Sequence, residues 1–220
     1  MKKVLAVLYK DLFSEFRTRY SISTILLFVV TTVTMLAIST MTEKLSNGLV
    51  AGFVWIIMFF SAMTGLAKSF VSEEERGTSF LLKISTSSGA VYFGKLLYNT
   101  ILSIAINSLA IMLLFLVFGS IEIKTYSIFL TNHFLGSLGL AGGTTIISAI
   151  IARAATKGAL FPVLAFPIVL PLILLGIETT QMSFEGKLFS EAQTNLQLIL
   201  AYCGIMITAS YFLFHFIWEE

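Results

Sequence analysis

Charge is scarce in this 220-residue sequence. Only 12% of the residues are Asp, Glu, Lys or Arg, whereas soluble domains use about 25%. Hydrophobic residues make up 57% of the chain, and the mean hydropathy is +0.93. The net charge of +2 is too small to indicate nucleic-acid binding. The composition excludes an ordinary soluble domain and indicates a membrane protein.

Residues that carry chemistry are also few. Asp11 is the only Asp, and no Glu falls inside a long apolar run. This argues against proton-coupled transport, which uses intramembrane carboxylates, and against magnesium-dependent transferases, which cluster them. Cys203 is the only Cys, so an intrachain disulfide is excluded and a packing role is expected. We therefore predict no catalytic residue, no metal site and no bound cofactor.

Long apolar runs are present in six places. A membrane-spanning helix needs about 20 mostly apolar residues to cross the hydrocarbon layer. The sequence therefore predicts an all-α integral membrane protein with a single domain over residues 1–220. The predicted spans are residues 22–41, 48–67, 98–118, 128–151, 158–177 and 196–218.

Lys and Arg are unevenly divided between the two sides of these spans. Because positive residues collect in cytoplasmic loops, the richer side is assigned to the cytoplasm together with both termini. That side carries eleven of them: Lys2, Lys3, Lys10, Arg17, Arg19, Lys68, Arg76, Lys83, Lys95, Arg153 and Lys157. The other side carries three: Lys44, Lys124 and Lys187.

Residues 1–20 differ from the spans, because charged residues interrupt their apolar positions. Apolar residues recur at spacings of 1, 3 and 4 with Lys, Asp, Glu and Arg between them: Val4, Leu5, Val7, Leu8, Leu12, Phe13 and Phe16. This pattern predicts an amphipathic helix on the cytoplasmic membrane surface, in contact with lipid. The alternative is that the segment is the cytoplasmic start of the first span.

The stretch Gly89–Leu96, GAVYFGKL, has the Gly-x4-Gly-Lys spacing of a phosphate-binding loop. Leu96 stands where that loop needs Ser or Thr, and the predicted cytoplasmic loop of residues 68–97 is too short for a nucleotide-binding domain. We therefore interpret Lys95 as a positive anchor at a helix end and Gly89 as a turn residue.

The acidic run Ser72–Thr78 lies in the same loop and opposes the positive charge of that side. Such a run is usually a solvated face. The apolar residues Phe80, Leu81 and Leu82 follow it, so it also forms a short amphipathic segment suited to docking on a soluble partner.

Small residues and prolines mark two of the spans. Gly139 and Gly143 form a small-x3-small pair that predicts a close helix contact, within the chain or between subunits. Pro162, Pro167 and Pro171 all fall in the fifth span, where they predict either tolerated kinks or a flexible gate.

The two histidines are too few for a zinc site without other ligands nearby. His133 lies near the outer end of the fourth span and His215 near the inner end of the sixth. Either could serve as an axial haem ligand, or each could be a polar residue hydrogen-bonded within the bundle. The sequence identifies no haem ligand.

The stretch from Trp55 through Asn99, WIIMFFSAMTGLAKSFVSEEERGTSFLLKISTSSGAVYFGKLLYN, resembles the B subunit of the cytochrome c maturation haem exporter (CcmB), an ABC-2-like permease. The resemblance extends to KDLFSEFRTRY near the start, NHFLGSLGLAGG in the fourth span and AFPIVLPLIL in the fifth. One departure is Ser85-Thr86-Ser87, where many relatives have a Pro. The likeness covers about 200 residues.

The resemblance implies a six-span permease of the bacterial cytoplasmic membrane that has no nucleotide site of its own. It would work with a cytoplasmic ABC ATPase subunit, a haem-handling membrane subunit, a small single-span subunit and a periplasmic haem chaperone. Haem would be the substrate of the complex, and ATP would bind the partner. The resemblance leaves open whether the complex exports haem or releases the haem-loaded chaperone.

The resemblance also implies a role for the acidic loop. Its members Glu73, Glu74, Glu75, Arg76 and Gly77 match the acidic-Arg-Gly loop of the family and are the candidates for coupling to the ATPase. Two alternatives stay open: the permease of another ABC-2 exporter, for a lipid or a drug, and a membrane scaffold that holds a haem-handling subunit without transporting anything.

Overall fold

The computed structural model describes residues 2–18, 20–40, 45–66, 68–119, 122–152 and 157–219. Within these ranges the regular structure is entirely helical. The helices are α1 (Lys2–Thr18), α2 (Tyr20–Ser39), α3 (Asn47–Leu66), α4 (Lys68–Glu75), α5 (Ser79–Ser85), α6 (Ser88–Val117), α7 (Tyr126–Ala152), α8 (Lys157–Glu185) and α9 (Phe189–Glu219).

Six of these helices, α2, α3, α6, α7, α8 and α9, are long and apolar enough to cross a membrane. The predicted class, an all-α multi-pass membrane protein, is confirmed. Several residues used in the prediction lie outside the described ranges, namely Arg19, Lys44, Arg153 and the predicted span ends Met41 and Ala67.

The predicted loop of residues 68–97 is wrong in its extent. Residues 68–75 and 79–85 form α4 and α5, and α6 begins at Ser88, ten residues before the predicted start of the third span at residue 98. A prediction from hydropathy begins a span after the last charged residue, so Lys95 moved the predicted start of the third span to residue 98. In the structure the charge is paired inside the protein, so the helix continues past it.

Helix α7 is the centre of the bundle. Of the residues in its most apolar window 78% are buried, compared with 17% in α2. The pair Gly139 and Gly143 packs within the chain: a β-carbon at Gly139 would lie 2.7 Å from Leu172, and one at Gly143 would lie 3.3 Å from Val169. The glycines therefore let α8 approach α7 closely.

A tryptophan fixes a third helix against the same pair. The Trp55 indole of α3 lies over Gly136 of α7 and Gly176 of α8, where no β-carbon would fit. Its Nε1 donates a hydrogen bond of 2.9 Å to Thr180 Oγ1, and Asn132 Nδ2 donates one of 2.8 Å to the same oxygen. Buried polar groups that are paired in this way specify the register of three helices.

Hydrogen bonds between polar side chains also join α6 to α7. Asn99 Nδ2 donates to Thr145 Oγ1 at 2.8 Å, and Asn107 Nδ2 donates to Ser137 Oγ at 3.0 Å. These contacts are buried among apolar side chains. They keep the two helices in one register where dispersion contacts alone would allow sliding.

All three prolines lie within α8, which continues as an α-helix from Lys157 to Glu185. Pro162, Pro167 and Pro171 are exposed on the outside of the bundle. Tyr202 Oη of α9 donates a hydrogen bond of 3.0 Å to Ile168 O, on the proline-bearing stretch. The gate remains a prediction.

Candidate functional site

The acidic run forms a helix, a tight turn and the start of a second helix. Together α4, the turn and α5 make up residues 68–85, which we call the coupling segment after the role predicted for it. Gly77 N donates to Glu74 O at 3.1 Å and Thr78 N donates to Glu73 O at 2.9 Å, the paired bonds of a Schellman motif. Gly77 has φ +67°, a left-handed conformation that is costly for residues with a β-carbon.

The outer surface of the coupling segment combines acid and apolar groups. Glu74 and Glu75 are exposed at the end of α4. On α5, Phe80, Leu81 and Ile84 are 67%, 65% and 69% exposed. Leu82, which the sequence placed in the same docking face, instead points inward and is buried. The exposed apolar face of α5 therefore consists of Phe80, Leu81 and Ile84, with Ile84 in place of the predicted Leu82.

Glu73 points in the opposite direction, into the protein. Its carboxylate accepts a hydrogen bond of 2.6 Å from Thr78 Oγ1 and pairs with the ammonium groups of Lys10 and Lys95. Within the predicted coupling set, Glu73 thus differs from Glu74 and Glu75. Its ion pairs can fix the position of the segment, but its carboxylate is not available to a partner protein.

Four charged side chains close a ring that we call the ion ring: Lys10 and Asp11 of α1, Glu73 of α4 and Lys95 of α6. Lys10 Nζ lies 3.0 Å from Asp11 Oδ1 and also contacts Glu73. Lys95 Nζ lies 3.0 Å from both Asp11 Oδ2 and Glu73 Oε1. Each cation therefore touches both anions, and the ring carries no net charge.

The chemistry of the ring follows from its burial. Removal from water would by itself lower the pKa of the Lys10 ammonium group, but Asp11 and Glu73 outweigh this effect and raise that pKa above its usual value. Lys10 is therefore positively charged at neutral pH. The ring is a structural ion-pair network, in which each charged group is paired with charged groups of the ring.

Lys95 is not the positive anchor at a helix end that the sequence suggested, because it lies within α6 and the residue is only 1% exposed. Besides its ion pairs, its Nζ donates a hydrogen bond of 2.7 Å to Ser69 O and lies 5.4 Å from the centre of the Phe70 ring. A buried ammonium group needs such partners, since an unpaired charge in the interior is strongly unfavourable.

The glycines of GAVYFGKL serve helix packing. Gly94 lies against α1: an added β-carbon would lie 2.6 Å from Val7 Cβ and 3.0 Å from Val4 O. Gly89 is helical, and a β-carbon added there would lie 3.3 Å from the Tyr211 ring of α9, so its interpretation as a turn residue is wrong. The octapeptide lies within α6, whereas a phosphate-binding loop requires non-helical backbone between a strand and a helix.

Helix α1 has two different faces. Val7, Leu8 and Asp11 are buried, with Val7 against α6. Leu5, Tyr9, Phe13 and Phe16 are exposed and lie on the other side. The predicted helix is present, and its location on the membrane surface stays a prediction. Arg76 Nη1 of the coupling segment also donates a hydrogen bond of 3.0 Å to Ser14 Oγ, so α1 contacts the segment at a second point.

Two cavities flank the coupling segment. One, of about 410 Å³, lies between the segment and the ends of α7 and α9 and is lined by Phe80, Lys83 and Trp218 among others. The second, of about 310 Å³, surrounds the ion ring and is lined mainly by polar and charged side chains. The segment is therefore held by specific contacts with space on both sides of it.

The two histidines make hydrogen bonds to serines. His133 Nε2 lies 2.9 Å from Ser108 Oγ, and His215 Nδ1 lies 3.1 Å from Ser88 Oγ. Among the residues that the structure describes, no group of three or more His, Cys, Asp or Glu side chains is arranged to hold a metal ion. No haem ligand can be named from these contacts.

Sequence reasoning missed the ion ring, although it singled out Glu73 and Lys95 separately. Lys10 and Asp11 were interpreted only as the polar positions of an amphipathic helix. One signal was available: Asp11 is the only Asp of the chain, and it lies beside a Lys on a helix with buried apolar neighbours. Nothing in the sequence pairs that position with residues 73 and 95.

Comparison with protein families gives one match of nearly full length. The model of the family described as CcmB protein matches residues 2–216. Comparison with curated proteins gives no match. The family match covers α1 to α8 and all but the last three residues of α9, including the coupling segment and the ion ring.

Proposed function

The chain belongs to the CcmB protein family, the membrane component of haem export for cytochrome c maturation, and we propose that it couples ATP hydrolysis by a partner subunit to that process. As a family member the chain is a membrane permease subunit, not itself an enzyme. In our proposal ATP binds the partner, haem is the substrate of the complex, and the chain holds no cofactor of its own.

The observation that carries this proposal is the form of the coupling segment. It presents Glu74, Glu75 and the apolar face of α5 outward, while Glu73 ties it to the bundle. An exposed amphipathic helix of this kind fits an apolar groove with basic residues at its rim. Closure of a nucleotide-bound ATPase would push the segment and displace the helices behind it as rigid bodies.

The proposed partners are those of an ABC-type complex: a cytoplasmic ATPase subunit, a haem-handling membrane subunit, a small single-span subunit and a periplasmic haem chaperone. The proposed location is the bacterial cytoplasmic membrane, with α1 against the lipid of its inner face. The work done is either export of haem or release of the loaded chaperone. The family match favours either of these functions over that of an ABC-2 exporter for a lipid or a drug.

The first test is purification of the tagged chain from its native membrane in mild detergent. Recovery of an ATPase and a haem-binding membrane protein, with ATP hydrolysis by the complex, is the expected result. An ATPase without a haem protein would favour a general exporter. A haem protein without an ATPase would favour the scaffold, and the chain alone would contradict all three functions.

The second test separates the exposed from the buried acids. We expect Glu74→Lys with Glu75→Lys to reduce recovery of the ATPase while leaving the thermal stability of the chain nearly unchanged, because exposed substitutions alter stability little. Glu73→Gln should instead lower thermal stability. Equal recovery of the ATPase with the exposed charges reversed would contradict the docking role of this surface.

A further inference from the structure

We propose that Lys95 is a positioning residue, and that the ion ring makes α1, the coupling segment and α6 move as one body. This inference rests on the proposed coupling function, and it assigns to the ring the transmission of motion from the coupling segment into the membrane. It gives a role to Lys10, Asp11 and Lys95, which no sequence motif assigns.

The first argument is connectivity. Lys95 is the point at which the three elements meet, since its Nζ contacts Asp11 of α1, Glu73 of α4 and the Ser69 carbonyl oxygen of α4. Lys10 closes the ring from the other side. A displacement of α4 that left α1 or α6 behind would have to separate at least two of these contacts.

The second argument concerns cost. Breaking a buried ion pair by removing one partner leaves an uncompensated charge, whereas replacing a whole pair with apolar groups is often neutral for stability. The separation of α4 from α6 is therefore strongly opposed, although the ring adds little net stability. The ring thus fixes the relative positions of the helices more than it stabilises the fold.

The third argument is that the surrounding packing leads in the same direction. Gly94, next to Lys95, lets the backbone of α1 approach α6 until Val4 O would lie 3.0 Å from an added β-carbon. The hydrogen bond from Arg76 to Ser14 adds a link between the turn of the coupling segment and α1. From α6, Asn99 continues the connection into α7 through Thr145. A push on the segment thus has a continuous path to the central helix.

The test compares two variants that differ in charge balance but both lack the connection. Lys95→Met leaves two carboxylates facing one ammonium group, so the purified complex should unfold at a lower temperature. In Glu73→Gln with Lys95→Met the ring is neutral again, and the unfolding temperature should recover toward that of the unmodified complex. Lys124→Met, an exposed lysine outside the ring, is the matched control.

The decisive quantity is the amount of haem exported, or of haem-loaded chaperone released, per ATP hydrolysed by the assembled complex. We expect it to fall in both ring variants, by about 5- to 150-fold if the ring carries an ordinary coupling free energy, and to stay at the control value in Lys124→Met. Recovery of both the unfolding temperature and the yield per ATP in the double variant would overturn the proposal, because the ring would then only stabilise the fold.

Hydrogen exchange keeps the proposal testable if the double variant does not fold. In the unmodified complex, trapped nucleotide should change exchange in α1 and α4 together. A change confined to α4 would overturn the inference.

If no ATPase accompanies the chain, the proposed function fails, but the ring is still tested in the chain alone. There Lys95→Met should raise exchange in α1 and α4 and leave α7 unchanged, and an unchanged α1 would contradict the ring.

Discussion

Replacing Gly94 with Ala tests how closely α1 must lie against α6. The added β-carbon would lie 2.6 Å from Val7 Cβ and 2.8 Å from Val7 Cγ1. Carbon atoms in contact are normally about 3.5–4.0 Å apart, so α1 must move outward by about 1 Å. Neither the β-carbon of Val7 nor the Val4 carbonyl oxygen is the free end of a flexible side chain, so the backbone of α1 has to shift.

Two opposing effects set the size of the change. Overpacking of this kind costs about 1–3 kcal/mol, while Ala is favoured over Gly inside a helix by about 1 kcal/mol. For global unfolding the two effects give a net loss of up to about 2 kcal/mol. The preference for Ala acts on α6 whether or not α1 is docked, so the attachment of α1 alone should lose the full cost of about 1–3 kcal/mol, which corresponds to an increase of about 5- to 150-fold in its opening. The same shift would lengthen the contact of 3.0 Å between Lys95 and Asp11.

Hydrogen exchange of the purified chain measures this effect directly. Exchange in α1 should become faster in Gly94→Ala, with little change in α7. Gly52→Ala on α3 is the matched control, because a β-carbon at that position meets nothing within 4 Å and the substitution should be neutral or stabilising. Unchanged exchange of α1 in Gly94→Ala would refute the close packing of α1 on α6 and weaken the case for a common rigid body.

Three further substitutions test other parts of the structure. Gly77→Ala places a β-carbon at φ +67° and should lower the unfolding free energy of the coupling segment by about 1–2 kcal/mol; exchange in α4 and α5 that does not increase would contradict the left-handed turn. Trp55→Phe removes the hydrogen bond to Thr180 and should cost about 1–2 kcal/mol, measured as a lower unfolding temperature; an unchanged temperature would argue against the buried contact. Pro167→Ala with Pro171→Ala should stabilise α8 and, if that helix bends during function, reduce the chaperone released per ATP; an unchanged yield would count against the gate.

The bilayer explains why six spans could be predicted from sequence. A spanning helix must be long, apolar and internally hydrogen-bonded, and each of these demands leaves a mark in the sequence. The α3 span, predicted at residues 48–67, is found at Asn47–Leu66. Such agreement depends only on local composition and needs no knowledge of what the helix packs against.

The ion ring could not be predicted because its meaning depends on distant residues. A lysine near the end of an apolar run has the same sequence signature whether it is solvated or buried, and only the approach of α1 and α4 decides the outcome for Lys95. The same holds for Gly94, whose role follows from the position of Val7. The orientation of Glu73 away from Glu74 depends on the helical phase of α4, which is too short to show a reliable period.

The ion ring also imposes an order on the synthesis of the protein. Lys10 is made 63 residues before Glu73, which takes roughly 3–13 s at a translation rate of about 5–20 residues per second. Lys95 is made later still. The N-terminal helix is therefore made before two of the four ring members exist, and the ring can close only when α4 and the beginning of α6 have emerged from the ribosome. In a chain that stalls before that point, Lys10 and Asp11 have only each other as ion-pair partners within the ring, and the face of α1 that carries Val7 and Leu8 has no α6 to pack against.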